Sequence, residues 1–494
     1  MIITSESNYA NNLKTIYNGS FLSMFEKNGC YYHHETDVTH RGRLFWGNDL
    51  LIVLKTFIHK IMRPYFSQNE LCNNQVYCPI DSATFSPING ESIASHNDYC
   101  VQHIGHATLL IKVSGFNIII DPVWGNLDRC FYRQYTKSLP AKVENLSPID
   151  IVLITHNHRD HMDKNSIVQI IECFGAKNVA IVTPVGTADT LKQWGCERVI
   201  ETKWYDKIIF DKTSTDGIVT TNSTNIDVIS LPSKHCSGRQ FSNRHAFQID
   251  FNESAFQGFL INPHNANVIF KLTGDTAQMS AEMYIDIDTI LWHEILLKNE
   301  KFVATFANND EFIKSMGDIT VSTIICVEPS GPNYPRNLMK LTHQSTAYSV
   351  LSKFRMCINL AKLSGKSAHL FLDKTATILN HHNKFRLGAD VFNEGLFIHA
   401  KLLKYLTLLD NATVNELMHE RNESKYHSDF STVFIGEELL AVITLLNDYF
   451  NEINEPKNYD ELCLLITKYI AIGKYILFPK IGETMTSYDF ECIL

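Results

Sequence analysis

The 12 cysteines include no Cys-x-x-Cys pair and no tight cluster. That excludes a disulfide-stapled secreted scaffold and points to buried thiols in a reducing compartment. No run of about 18 uncharged apolar residues exists, so no transmembrane helix is expected. The opening MIITSESNYANN has no basic segment followed by an apolar one, so no ordinary signal peptide is expected either. Basic charge is scarce: 44 Lys and Arg stand against 53 Asp and Glu, for a formal net charge of −9. This argues against sequence-independent nucleic-acid binding. No repeat of fixed period and no low-complexity block interrupts the chain. A cytoplasmic protein, able to touch a membrane only peripherally, fits these absences; the oligomeric state is left open.

What is present is ordinary globular composition, 45% hydrophobic and 20% charged. A chain of 494 residues suggests about three units, at roughly 150 residues each. Residues 1–99 are mixed and loop-rich, an N-terminal extension with one helical stretch near 50–62. Residues 100–387 alternate short β-branched runs with turns and helices, as an α/β fold does. Residues 388–473 place apolar residues at three-to-four spacing and read as a helical insertion. Residues 474–494 return to strand character in YILFPKIGE.

The segment TLLIKVSGFNIIIDP predicts two strands joined at Ser114–Gly115. IDIVLITH, residues 149–156, is nearly all apolar, as a strand buried on both faces should be. A helix is predicted to start at an Asp163 cap and to end at Gly175. THNHRDHMD then lies on a strand-to-helix loop, where open α/β sheets bind ligands.

That loop carries His156, His158, Asp160 and His161 in the pattern HxHxDH. His156 and His158 can converge on one cation, while Asp160 and His161 lie beyond the bend and can reach a second. Imidazole with carboxylate suits Zn²⁺ and neighbouring divalent metals. Four ligands do not complete two sites, so other strand ends must contribute. Candidates follow apolar runs at His235, at Asp275 after a flexible Gly274, and at His381 or His382.

With GHATLLIKVSGFNIIIDP upstream, HxHxDH resembles the metallo-β-lactamase fold superfamily. PSKHCSGR, TGDT, YPRNLMKLTH and YILFPKIGE make it most similar to the N-acyl-phosphatidylethanolamine-hydrolysing phospholipase D branch and its bacterial relatives. The resemblance covers about 100–385 plus the last strand. It implies an αββα sandwich, here with the N-terminal extension and the helical insertion before the closing strand in 474–494. It also implies two divalent metal ions, Zn²⁺ first among them. His156, His158 and His235 would hold one, Asp160, His161 and His381 the other, and Asp275 would bridge them. Asp121 would orient a His ligand. His343 would act near the metals, and His106, Arg239, Tyr334, Arg336 and His382 would support the site or line it.

The implied activity is hydrolysis of a phosphodiester in a phospholipid or lipid-like substrate by a metal-bridging hydroxide, with Asp160, Asp275 and His343 as the catalytic side chains. The alternatives are a lactonase or esterase on a small, phosphorylated or neutral substrate, and a non-catalytic metal-stabilised binding protein. Three features depart from the branch: His382 and Asn383 follow His381 where Trp is usual, tens of residues are inserted after Asp275, and the helical insertion is long.

Overall fold

The computed structural model describes residues 1–6, 9–17, 20–33, 99–125, 141–212, 224–239, 250, 252–277, 279–299, 319–330, 346–381, 476–477, 482 and 484–493. The helix expected near 50–62 and the helical insertion 388–473 lie outside them.

The first half of the chain supplies β1 (Ile2–Glu6), α1 (Tyr9–Tyr17), β2 (Phe25–Lys27), β3 (Cys30–Tyr32), β4 (Tyr99–Gly105), β5 (Thr108–Val113), β6 (Phe116–Ile120), β7 (Ile151–Leu153), α2 (Lys164–Phe174), β8 (Ala180–Pro184), α3 (Ala188–Gln193), β9 (Arg198–Thr202), β10 (Lys207–Lys212) and β11 (Thr224–Leu231). The second supplies β12 (Gly258–Pro263), β13 (Val268–Leu272), α4 (Ala281–Leu297), β14 (Thr323–Ser330), α5 (Thr346–Ser364), α6 (Ala368–Leu372), β15 (Thr375–His381), β16 (Ile476–Leu477), β17 (Thr484–Thr486) and α7 (Ser487–Ile493). Among the described residues, two large sheets form. One runs β1-β10-β11-β12-β13-β14-β15-β16 and the other β17-β4-β5-β6-β7-β8-β9.

The apolar runs explain the layering. Side chains on a strand alternate between faces. On β7, Ile151 and Leu153 enter the core between the sheets, while Val152 enters the core under α2. On β13, Val268, Phe270 and Leu272 face the other sheet, and Ile269 packs beneath α4 and α5. Each strand is thus apolar on both faces, and the result is the four-layered αββα sandwich. The turn at Ser114–Gly115 and the Asp163 and Gly175 ends of α2 fall where the sequence puts them. The strand expected over 149–156 is shorter, because Asp121 Oδ1 takes the Thr155 N–H at 2.8 Å and ends the ladder just before His156.

The extension contributes to the same body. β1 pairs antiparallel with β10, and the Tyr9 hydroxyl donates to Glu294 of α4. α4 is buried on nearly all sides, so its polar groups need partners. Glu294 finds Lys207 Nζ at 3.0 Å and Asn262 Nδ2 at 2.6 Å. Lys207 also meets Asp227 at 2.7 Å, and Asp227 faces His264 at 3.0 Å.

His293, the neighbour of Glu294, is 6% exposed and faces the Tyr17 hydroxyl at 3.1 Å. Burial pulls its pKa down to about 4. The unfolded chain therefore binds a proton between about pH 6.5 and 4 that the folded chain refuses. Stability is expected to fall as pH drops through that window, by roughly 3 kcal/mol at most. Denaturation of His293→Phe against wild type checks this: equal slopes over the window would remove His293 as the cause. Among the described residues no helix is long and apolar enough to cross a membrane.

Candidate metal centre

Loops and turns at several strand ends meet at one edge of the sandwich. The loop after β7 brings His156, His158, Asp160 and His161. His235 follows β11 by four residues, and Asp275 follows β13 by three. The turn between β4 and β5 brings His106. Three overlapping groups result, each with its donor atoms within 4.8 Å of one another: His156, His158 and His235; His106, Asp160 and His161; His156, His161 and Asp275. His156 Nε2 and His235 Nε2 lie 2.9 and 3.3 Å from His158 Nδ1. Two nitrogens on one tetrahedral zinc would stand about 3.3 Å apart, so the spacing suits a shared cation. Asp275 Oδ2 is 3.0 Å from His161 Nε2, and Asp275 joins the group that contains His156. It therefore faces both halves of the cluster.

The electrostatics fit cation binding. Burial holds His156 well below its ordinary pKa, and the nearby His161, His235 and His158 push the same way. It is therefore a neutral imidazole, the form that ligates metal. Burial opposes ionisation of Asp160, but His106 and His161 outweigh it and hold the carboxyl below its usual range. Burial alone would lower His161; the Asp275 and Asp121 carboxylates overcome it and raise this group. Crowded nitrogen lone pairs beside ionised carboxylates are what a divalent cation neutralises.

Residues 116–324 match the family model described as beta-lactamase superfamily domain. The chain carries a metallo-β-lactamase superfamily domain. The chain is 28% identical over 149 residues to an uncharacterized protein of Mycobacterium tuberculosis, covering 29% of this chain and 35% of that one. It is 25% identical over 209 residues to N-acyl-phosphatidylethanolamine-hydrolyzing phospholipase D 1 of Caenorhabditis elegans, covering 40% and 51%. A metal-dependent hydrolase of Lawsonia intracellularis is 37% identical over 91 residues, covering 18% and 34%. The matched stretches thus span only 34–51% of these relatives' own lengths. The resemblance read from HxHxDH and its companion motifs holds at the level of the superfamily, with relatives of the phospholipase D branch.

Within the superfamily domain, side chains behind the cluster fix its geometry. Asp121 Oδ2 accepts from His161 Nδ1 at 2.8 Å and from Thr155 Oγ1 at 2.7 Å. This leaves His161 Nε2 turned toward Asp275. Arg239 also holds this loop. Its guanidinium donates to the carbonyls of Asn157, at 2.8 Å, and Met162, and stacks over Trp194 at 5.1 Å. Burial, with Arg159 beside it, lowers its pKa to about 10. Arg239 braces the histidine loop, and Gly238 N–H adds a bond to Asn157 Oδ1 at 2.6 Å. Sequence pattern gave no sign of Asn157 or Thr155, since their roles depend on loops meeting.

β15 ends at His381, in parallel register with Ser330 of β14, which puts its backbone at a strand terminus. The His381 side chain and residues His382, Tyr334, Arg336 and His343 lie outside the described part of the structure.

Gly274 has φ +61°, and a Cβ there would lie 2.9 Å from Thr155 Cβ and Cγ2. Gly274→Ala should therefore push the Asp275 segment off the residue preceding His156. A loss of about 1–3 kcal/mol is expected, with weakened metal uptake. Denaturation and metal titration read both, and wild-type values in both would show that the close approach is dispensable.

Proposed function

We propose that this chain is a metal-dependent hydrolase cleaving a phosphodiester bond in a phospholipid or lipid-like molecule. The observation that carries the reading is the convergence of five imidazoles and two carboxylates from four separate strand ends on one buried locus. The phosphodiester choice is supported by the ordered motifs shared with the phospholipase D branch and by the match to the Caenorhabditis elegans protein of that name.

Two divalent cations, with zinc the best chemical fit to the donors, would supply Lewis acidity and a water that ionises near neutral pH. The chain's part is to place the donors. His156, His158 and His235 would hold one cation; Asp160 and His161, joined by His381, would hold the other. Asp275 would serve both. Asp121 and Arg239 keep the loop in this arrangement before any substrate arrives, so little reorganisation remains for the reaction itself. His343, which the resemblance puts near the metals, would donate the leaving-group proton or stabilise a developing oxyanion.

Purified chain should contain close to two divalent ions. Loaded with zinc, it should turn over a bis-aryl phosphodiester faster than an aryl ester or a lactone. The reverse ranking would favour a lactonase or esterase, and metal without any turnover would favour a binding protein. Peripheral membrane contact belongs to this proposal; co-sedimentation with phosphatidylethanolamine vesicles tests it.

A further inference from the structure

His106 stands where the sequence pattern gives no ligand. It occupies the two-residue turn between β4 and β5, with φ +53°, a region that side-chain-bearing residues enter at a cost of about 1–3 kcal/mol. The preceding Gly105 has φ 135°, and pairing of β4 with β5 shifts register between His103 and Gly105. The surroundings hold this turn in place. The fully buried His103 ring has Nε2 3.1 Å from the His106 carbonyl oxygen and donates to it. His106 is itself 1% exposed, and its ring meets that of His161 edge-on at 5.5 Å. Its Nε2 lies 3.2 Å from Asp160 Oδ2. An ionised carboxylate only accepts, so Nε2 carries the hydrogen.

We propose that His106 is a positioning residue for Asp160: its Nε2–H donates to the carboxylate and fixes it toward the cation position that Asp160 shares with His161. The irregular turn serves this end, because a regular hairpin would keep residue 106 in line with its strand. The inference rests on the reading of the cluster as a two-cation centre. It goes beyond that reading by adding a residue from a separate turn, the one between β4 and β5. A carboxylate held by a buried donor loses less freedom on binding metal, and groups of this kind change metal affinity by about 10–100-fold.

The test is metal loading, read independently of activity. Zinc and cobalt would be titrated into the metal-free full chain against a chromogenic chelator, with the visible Co²⁺ spectrum recorded. His106→Gly removes the donor and suits the positive φ; His106→Gln keeps an N–H of similar reach. Thermal denaturation of both variants shows whether they fold. The expected result is that His106→Gly binds one of the two ions 10–100-fold more weakly and leaves the other unchanged, while His106→Gln recovers most of the loss. Wild-type loading of His106→Gly would overturn the proposal. So would failure of Gln to rescue, since that would make the imidazole a ligand in its own right. A wild-type chain that takes up no cation would overturn this and the hydrolase reading together. One that loads both ions but turns over no probe would count against the hydrolase reading alone.

Discussion

Asp275→Asn should abolish turnover while the protein stays folded. Asp275 is 5% exposed, lies 3.0 Å from His161 Nε2, and shares a donor group with His156. It is the carboxylate that faces both halves of the cluster. The amide keeps the shape and one oxygen but removes the negative charge that would offset the two proposed cations. A loss of about a thousandfold in kcat is expected, roughly 4 kcal/mol. The loop should survive, because the Asp275 carbonyl accepts from Ser233 Oγ at 2.9 Å and that bond needs no carboxylate. Metal content, circular dichroism and turnover of the phosphodiester probe are measured together. A folded variant with undiminished turnover would remove Asp275 from its proposed place.

Lys207→Met should cost more stability than any surface substitution. Lys207 is 5% exposed and lies between Glu294 at 3.0 Å and Asp227 at 2.7 Å. Burial works against its charge, and the two carboxylates more than compensate, raising its pKa. Methionine has a similar volume but takes away the ammonium that both Glu294 and Asp227 share. Breaking such a pair from one side costs about 3–5 kcal/mol, a large part of the 5–15 kcal/mol typical of a folded domain. Urea denaturation reads this directly, and a second variant separates charge from packing: Lys207→Met with Glu294→Gln should recover part of the loss. A single variant within about 1 kcal/mol of wild type would mean the cluster is hydrated rather than ionic. The same substitution should loosen α1, whose Tyr9 shares the Glu294 carboxylate and whose ring lies 5.0 Å from Lys207 Nζ.

The site was more legible in the sequence than its supports were. HxHxDH follows an apolar strand and packs four donor types into six positions, so a metal loop is evident from local pattern. His235 and Asp275 follow strands in the same way, and the structure brings them to that loop. Asp121 entered through the resemblance, and the structure puts it on His161. Arg239 entered among the residues that support or line the site, but its partners are carbonyls of a loop some 80 residues away, and backbone acceptors leave no mark in sequence. His106 was visible as part of GHAT, but its reach to Asp160 depends on a register shift that composition does not encode. The strand at 149–156 was overextended because apolar content continues through Ile154, whereas the ladder ends when a side chain takes the next amide. The helix after Asp275 reads as an interruption; its burial on nearly all sides makes it the cover of the outer sheet face.

The closing segment enters both sheets. β16 extends one beside β15, and β17 extends the other beside β4. Met485 and Phe490 then reach the core between the sheets, with Phe490 5.7 Å from Tyr99. A chain lacking residues 484–493 would leave Tyr99 open to water at this edge, so β17 and α7 act as a clasp across the interior.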